Sequence, residues 1–379
     1  MQRLIEINSS YLQNHLPKIN RADVGFGLGG ATLFQLYKYW HQADPTALDQ
    51  CRQYFDAMLE VLQKSENRTS LFIELTETAF FVRKYGAAVD TPYELEDLLE
   101  QLDTSLVPYA KSLLDHHWVD PYVGAFNQAF YFLHYPAIFY KEIEYFIDYL
   151  QATIKVPRKG HFYVENKQMP GIHLGITHGQ AFFLVFLAKA FEAGIRKSTC
   201  LHLLKGISQF VLGHKLGQDP LGQLFPNTVG STDFTRMGLA YGDLGTLYGL
   251  LRAAQALEDQ ALYQQVINWF EQCAQRKSFA ATGIKHHNLL YGKAGPALCF
   301  QWLYQQTGEV SFLDTSEYWY LTLEKALRQM EPGDLTPFDD FDYPAMQQSS
   351  LLEGLTGSLI AIMAKECGKF DFNHLFYFT

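Results

Sequence analysis

Two kinds of segment alternate along the chain. Stretches such as 46–65 (TALDQCRQYFDAMLEVLQKS) and 259–277 (DQALYQQVINWFEQCAQRK) carry apolar residues at spacings of three and four, with polar residues between them. That period predicts helices with one wet face. The other kind is apolar nearly all round: ATLFQLYKYW, QAFYFLHY, FLVFLAKAF, TLYGLLRAA, PALCFQWLY and SLIAIMAK. Runs of this length predict buried helices.

Each apolar segment follows a short glycine-marked step. Gly27-Leu-Gly-Gly30, Gly124-Ala-Phe-Asn127, Gly179-Gln-Ala-Phe182, Gly242-Asp-Leu-Gly245, Gly292-Lys-Ala-Gly295 and Gly354-Leu-Thr-Gly357 are six copies. A seventh, Glu74-Leu-Thr-Glu77, is degenerate and is aligned as opening TAFFVRKYG. The copies recur with a loose period of about fifty residues, at or slightly above the range of helical repeats. Each unit then reads as one polar-backed helix and one apolar helix. Glycine at the step lets the backbone turn sharply or approach a neighbouring helix closely.

An open stack of such units needs polar caps at its ends. Here the first and last copies, FGLGGATLF and LLEGLTGSL, are among the most apolar. The expectation is therefore a closed all-α fold: an α/α toroid, a double seven-helix barrel made of seven helical-hairpin repeats. No Pro/Gly/Ser-rich linker interrupts it, so residues 1–379 are read as one domain. No strand alternation is long enough to build a sheet. Residues 155–173, 217–233 and 331–349 are rich in Pro, Gly and acidic residues and are read as long loops lining a mouth.

Composition narrows the function. Of 379 residues, 48% are apolar, with 29 Phe and 23 Tyr, enough for a large core. A formal net charge of −10 argues against nucleic acid as a main partner. The start MQRLIEINSS lacks a signal pattern, and no apolar run is long enough to span a bilayer; a cytoplasmic protein is expected. The five cysteines, Cys51, Cys200, Cys273, Cys299 and Cys367, form no C-x-x-C pair, so neither a disulfide framework nor a zinc knuckle is visible.

In a ring of repeats the same position points the same way in every unit. Immediately before the first residue of each step stand Phe26, Ile73, Val123, His178, Tyr241, Tyr291 and Glu353. One position earlier stand Gly25, Phe72, Tyr122, Thr177, Ala240, Leu290 and Leu352, with Asp120 and Arg236 close by. A histidine, two carboxylates, a guanidinium and phenols at one end of apolar helices make a candidate acid–base site. On the residues alone a second reading competes with it, in which the same groups are buried polar ties between loops.

The motifs GITHGQA, RMGLAYGDLG, LLYGKAG and SLLEGLTG resemble those of the lanthionine synthetase C-like family, and the resemblance runs through all seven repeats. The resemblance implies the toroid fold. It also implies a reaction: addition of a peptide cysteine thiol to a dehydroamino acid, which closes a thioether ring in a modified precursor peptide. A lanthipeptide dehydratase and a transporter are the partners it implies. Carried over position by position, it makes His178, Asp120, Arg236 and Tyr241 the catalytic set. Tyr291, Glu353 and Tyr122 join as substrate-binding candidates.

The family activates the thiol with zinc, held by Cys in the fifth unit and Cys-His in the sixth. The corresponding residues here are Ala240, Leu290 and Tyr291, so no metal and no cofactor is expected at those positions. Other residues that could rebuild a zinc site are His286 and His287, or His173 and His178. The acidic run DDFDYP (339–344) is a calcium candidate. The functional alternatives are an inactive relative that binds a peptide or partner, and a carbohydrate-active α/α toroid using Asp120 and Glu353 as its carboxylate pair.

Overall fold

The computed structural model describes residues 1–64, 70–330 and 350–377. Among them the chain is helical except for loops and one short hairpin. The polar-backed helices are α1 (Gln2–His15), α3 (Pro45–Gln63), α5 (Leu95–Asp115), α7 (Pro136–Thr153), α9 (Lys197–Leu212), α11 (Gln260–Gln275) and α14 (Val310–Arg328). They alternate with α2 (Leu28–Gln42), α4 (Leu71–Val89), α6 (Ala125–His134), α8 (Gln180–Glu192), α10 (Asp243–Ala256), α13 (Ala294–Thr307) and α15 (Leu355–Cys367). The short helix α12 (Phe279–Thr282) stands before α13.

Burial follows the sequence pattern. Helix α3 buries Cys51, Tyr54, Phe55, Met58 and Leu59, one face at three–four spacing. Helix α8 is buried from Gln180 to Ala188 without a break. The polar-backed helices start on side-chain caps where the sequence supplies them. The Asp44 carboxylate accepts from Thr46 N, with Pro45 at the first turn of α3, and Asp259 accepts from Leu262 N at the start of α11.

Contacts divide the chain into two compact units. Unit 1 takes Met1–Pro108, Lys285–Gly308 and Leu313–Asn373. Unit 2 takes Tyr109–Ile284, Glu309–Phe312 and His374–Thr379. In unit 1, α2 packs on α3, α4 and α15, and α15 also meets α1 and α13. In unit 2, α8 packs on α6, α9 and α10. The Phe126 ring of α6 meets Phe183 and Phe186 of α8 edge-on, with centroids at 5.1 and 5.2 Å. Each such ring contributes about 1.5–3 kcal/mol by leaving water.

The buried helices start without side-chain caps. Their free N–H groups are met by carbonyls of the loop before them. Leu28 N donates to Arg21 O, Ala125 N to Trp118 O, Gln180 N to His173 O and Lys293 N to His286 O. The loop therefore curls over the helix start, and the first glycine of the step lies against it. A Cβ on Gly27 would stand 2.5 Å from Arg21 O, on Gly179 2.3 Å from His173 O, and on Gly242 1.8 Å from Arg236 O. The first glycine of the step thus makes room for its own preceding loop, the sharp turn that is one of the two readings of the step. The close helix approach is at Gly249 of α10, where a Cβ would meet Ala181 O of α8 at 2.6 Å.

Gly242 is constrained twice, because its φ of 130° is also one that L side chains rarely adopt. Gly242→Val is expected to cost about 3 kcal/mol or more. Thermal unfolding checks it; an unchanged melting temperature would contradict this packing.

The second copy differs from the alignment. Helix α4 starts at Leu71, so Glu74 and Glu77 lie inside its first turns instead of opening it. Their carboxylates hold the loop of the first copy: Glu74 Oε2 accepts from Ala22 N, and Glu77 Oε2 from Val24 N and Gly25 N, at 2.7–2.9 Å. Burial, with the neighbouring Asp23 charge, pushes the Glu77 carboxyl up to about 8.

The stretch 155–173 is not all loop. It holds an antiparallel hairpin, β1 (Lys155–Arg158) and β2 (His161–Tyr163). Strand β2 rests on α9, with the Phe162 ring over Gly206 and Tyr163 stacked on Phe210 at 5.1 Å. The acidic run 339–344 and the loop 331–349 lie outside the described residues.

Candidate functional site

The loop of the third copy positions Asp120. Its Oδ1 accepts from Tyr122 N at 2.7 Å and Val123 N at 2.8 Å, the Asx-type local bonding expected of Asp in a turn. The same position, four residues before the step, does the same in other copies. Asp23 Oδ1 accepts from Phe26 N, Asn288 Oδ1 from Tyr291 N, and Ser350 Oγ from Glu353 N. One oxygen of Asp120 therefore performs a structural task common to the repeat.

Its other oxygen does not. Asp120 Oδ2 lies 2.8 Å from His178 Nδ1 and accepts from Asn166 Nδ2 at 2.6 Å. Asp120 is fully buried and His178 is 8% exposed. Burial alone would push the Asp120 carboxyl up. The hydrogen bond and charge of His178, with the Val123 N–H and Asn166, outweigh it and hold the carboxyl below its ordinary range. Asp120 is thus an ionised orienting group with its acceptor sites taken. When the ring is neutral, the Nδ1–H tautomer that Asp120 selects leaves Nε2 of His178 as the nitrogen with the lone pair.

His178 stands among rings. Tyr241 is 5.6 Å away at 34°, Tyr122 6.5 Å away edge-on, and His173 6.4 Å away edge-on. Loops of unit 2 hold this group together. Thr177 Oγ1 donates to Ala240 O at 3.1 Å, Leu174 N to Asn227 O, and Val229 N to Ile172 O. Arg236 is on the same loop as Tyr241, half-buried, with its Cβ against Gly283.

Four of the expected residues, His178, Asp120, Tyr241 and Tyr122, therefore form one cluster in unit 2, and Arg236 lies on a loop of that cluster. Tyr291 and Glu353 belong to unit 1. There Asn288 Nδ2 donates to Glu353 O, Leu290 N to Leu352 O and Leu352 N to Gly25 O, so three loop ends are stitched together. Burial pushes the Glu353 carboxyl up to about 7. Sequence reasoning missed Asn166, for which no local pattern gives a signal.

The residues at the three expected zinc positions, Ala240, Leu290 and Tyr291, offer a methyl, an isobutyl and a phenol, none of which is an ordinary zinc ligand. Of the candidate replacements, His173 Nε2 is 3.0 Å from Pro170 O, and His287 Nδ1 is 2.8 Å from Ser358 Oγ. Burial lowers the His287 imidazole to about 3, so that ring is neutral. Among the described residues no group of three His, Cys, Asp or Glu could hold a metal ion. No helix among them is long and apolar enough to cross a membrane.

Comparison with solved structures finds a likeness to nisin cyclase at a TM-score of 0.82 and 16% sequence identity, covering 100% of this chain and 97% of that one. At that identity the likeness is one of fold, and it establishes the all-α, α/α-toroid class expected from the repeats. Comparison with curated proteins finds no match by sequence. The sequence model of the family described as "Lanthionine synthetase C-like protein" matches residues 18–375. With nearly the whole chain covered by that match, and the repeat and fold in agreement with it, the chain belongs to the lanthionine synthetase C-like family.

Proposed function

We propose that the protein promotes thioether ring formation in a dehydrated precursor peptide, with His178 as its base and without zinc at Ala240, Leu290 and Tyr291. The observation that carries this reading is the buried Asp120–His178 pair at 2.8 Å, which engages Nδ1 and leaves Nε2 as the base nitrogen of a neutral ring, with Tyr241 and Tyr122 beside it. A cysteine thiol of the peptide gives its proton to Nε2. The thiolate forms a bond to the β-carbon of the dehydroamino acid, and the electron pair moves through the α-carbon to the carbonyl oxygen as an enolate. The imidazolium then returns the proton to the α-carbon. Atoms and charge balance with no co-reactant. Arg236 and Tyr241 are the groups assigned to the developing negative oxygen; Tyr122, whose ring lies 6.5 Å from that of His178, is assigned to holding the peptide.

A positioned base supplies about 10²–10⁴-fold. The reaction needs reduced cysteine, which places it in a reducing compartment such as the cytoplasm. Its peptide must come from a dehydrating enzyme, and an exporter is the natural next partner. The carbohydrate reading loses support, because Asp120 has its carboxylate already engaged by its N–H donors and by His178.

The test uses a short synthetic peptide with one dehydroalanine and one cysteine, followed by loss of alkylatable thiol. We expect the protein to accelerate thiol loss in the presence of a strong chelator. Acceleration that disappears with chelator and returns with added zinc would overturn the zinc-free reading. Tight binding of the peptide without ring closure would make the chain a binding module instead.

A further inference from the structure

We infer that Asn166 is a positioning residue for His178, and that the hairpin β1–β2 and the turn after it serve to deliver it. This rests on the proposed acid–base role of His178. The Asn166 amide bridges both members of the pair: Nδ2 donates to Asp120 Oδ2 at 2.6 Å and to the His178 backbone carbonyl at 3.2 Å. Its own oxygen accepts from Gln168 N at 3.2 Å. One 8% exposed side chain therefore fixes the carboxylate and the main chain that carries the imidazole. Relative movement of His178 and Asp120 would break a bond to Asn166.

The delivery of Asn166 is specific. Two residues before it, Val164 N donates to Gln180 Oε1 at 2.9 Å and Val164 O accepts from Gln180 Nε2 at 3.0 Å. Gln180 is the first residue of α8, two after His178, and is buried. Upstream, Phe162 sits over Gly206, where a Cβ would clash, and Tyr163 stacks on Phe210. Downstream, Gln168 Nε2 donates to His117 O. The segment is thus held on both sides of Asn166.

The repeat supplies a comparison within the chain. In the first copy the equivalent acid is Asp23, whose second oxygen takes Arg21 Nε at 2.6 Å. A guanidinium there neutralises the carboxylate. In the third copy the donor besides His178 is a neutral amide, which holds Asp120 by a hydrogen bond without adding a positive charge. The negative charge remains to favour the imidazolium that forms on His178. Asn166 thus combines positioning with charge neutrality, which neither Lys nor Arg could supply.

Two variants test this. Asn166→Ala is expected to lower kcat on the dehydroalanine–cysteine peptide about 10–100-fold, with KM changed less than about twofold, as for a misplaced catalytic group. Asn166→Asp keeps the shape but sets a second carboxylate at hydrogen-bond distance from Asp120. Two such groups cannot both ionise at that distance, so the pair keeps a proton when the pH is low enough. That proton restores a donor. The ratio of variant to wild-type rate should therefore rise as pH falls from about 8 to 6. A ratio flat with pH, or a wild-type kcat in Asn166→Ala, would overturn the inference.

A readout independent of turnover separates this from the catalytic reading. In nitrogen-resolved NMR of the full chain, wild-type His178 should show a protonated Nδ1 protected from water exchange, and Asn166→Ala should lose that signal while keeping its helical circular dichroism. If wild type fails to close rings but the signal is lost in the variant, the catalytic reading fails and the positioning stands. If the signal is unchanged, the positioning fails.

Discussion

His178→Ala is expected to slow thioether formation by about 10²–10⁴-fold, the contribution of a positioned general base. The peptide thiol is mostly protonated at neutral pH and is a poor nucleophile until its proton is removed. In the proposed zinc-free reaction, the base nitrogen held by Asp120 is the group assigned to remove it. The substitution leaves Asp120 with its two backbone N–H donors and Asn166, so the loop should keep its form. Steady-state rates on the dehydroalanine–cysteine peptide, with circular dichroism as the folding control, decide the matter. Equal rates for the two proteins would remove His178 from the mechanism, and the thiol would need another base.

The largest expected loss of stability is in Arg276→Met. In unit 2 the Arg276 Nη1 donates to Asp243 Oδ2, and its Nε and Nη2 donate to Ala281 O at 2.9 and 2.7 Å. Asp243 Oδ1 accepts from Leu224 N and Phe225 N at 3.1 and 2.9 Å. The pair ties the loop before α10 to α11 and α12, with side chains 6% and 0% exposed. Burial pushes the Asp243 carboxyl up and Arg276 opposes that push. With the guanidinium gone, a buried carboxylate has lost its counter-charge, which costs about 3–5 kcal/mol. That is a large part of the roughly 5–15 kcal/mol that keeps a domain folded. A lower melting temperature and urea midpoint are expected. The double variant Asp243→Asn with Arg276→Met should recover part of the loss, because no unpaired charge is then buried. A single variant that melts with wild type would show that the pair contributes nothing net. The loop also carries Arg236 and Tyr241, so weakened ring closure should accompany the lower stability.

The repeat was readable because its signals are local. Helix period, buried run and glycine step are all written within a dozen residues, and six of the seven copies start their helices at or beside the glycine. The degenerate copy was misaligned for an equally local reason. Glu74 and Glu77 occupy the aligned step positions, but α4 starts three residues before Glu74, and the two carboxylates hold the loop of the first copy. Sequence shows that the glycine step needs space without showing what fills it, which leaves a sharp turn and a close helix approach as alternatives.

The candidate site was legible in part. His178, Tyr241 and Tyr122 sit at the two repeat positions read from the pattern, so one argument finds them; Asp120 stands only close by, and the family resemblance supplies its role. Asn166 lies in no repeat position. It meets Asp120 across 46 residues and His178 across 12, and only the anchored hairpin brings it there. The amino-acid order by itself determined the alternation of buried and half-wet helices, the glycine-marked turns and the chemistry absent at Ala240, Leu290 and Tyr291, since each depends on residue type and short spacing. Tertiary structure decided which oxygen of Asp120 serves the turn and which serves the imidazole, and that an asparagine completes the pair. Those choices depend on contacts between distant segments, where direction and distance are set by packing and have no counterpart in the local pattern.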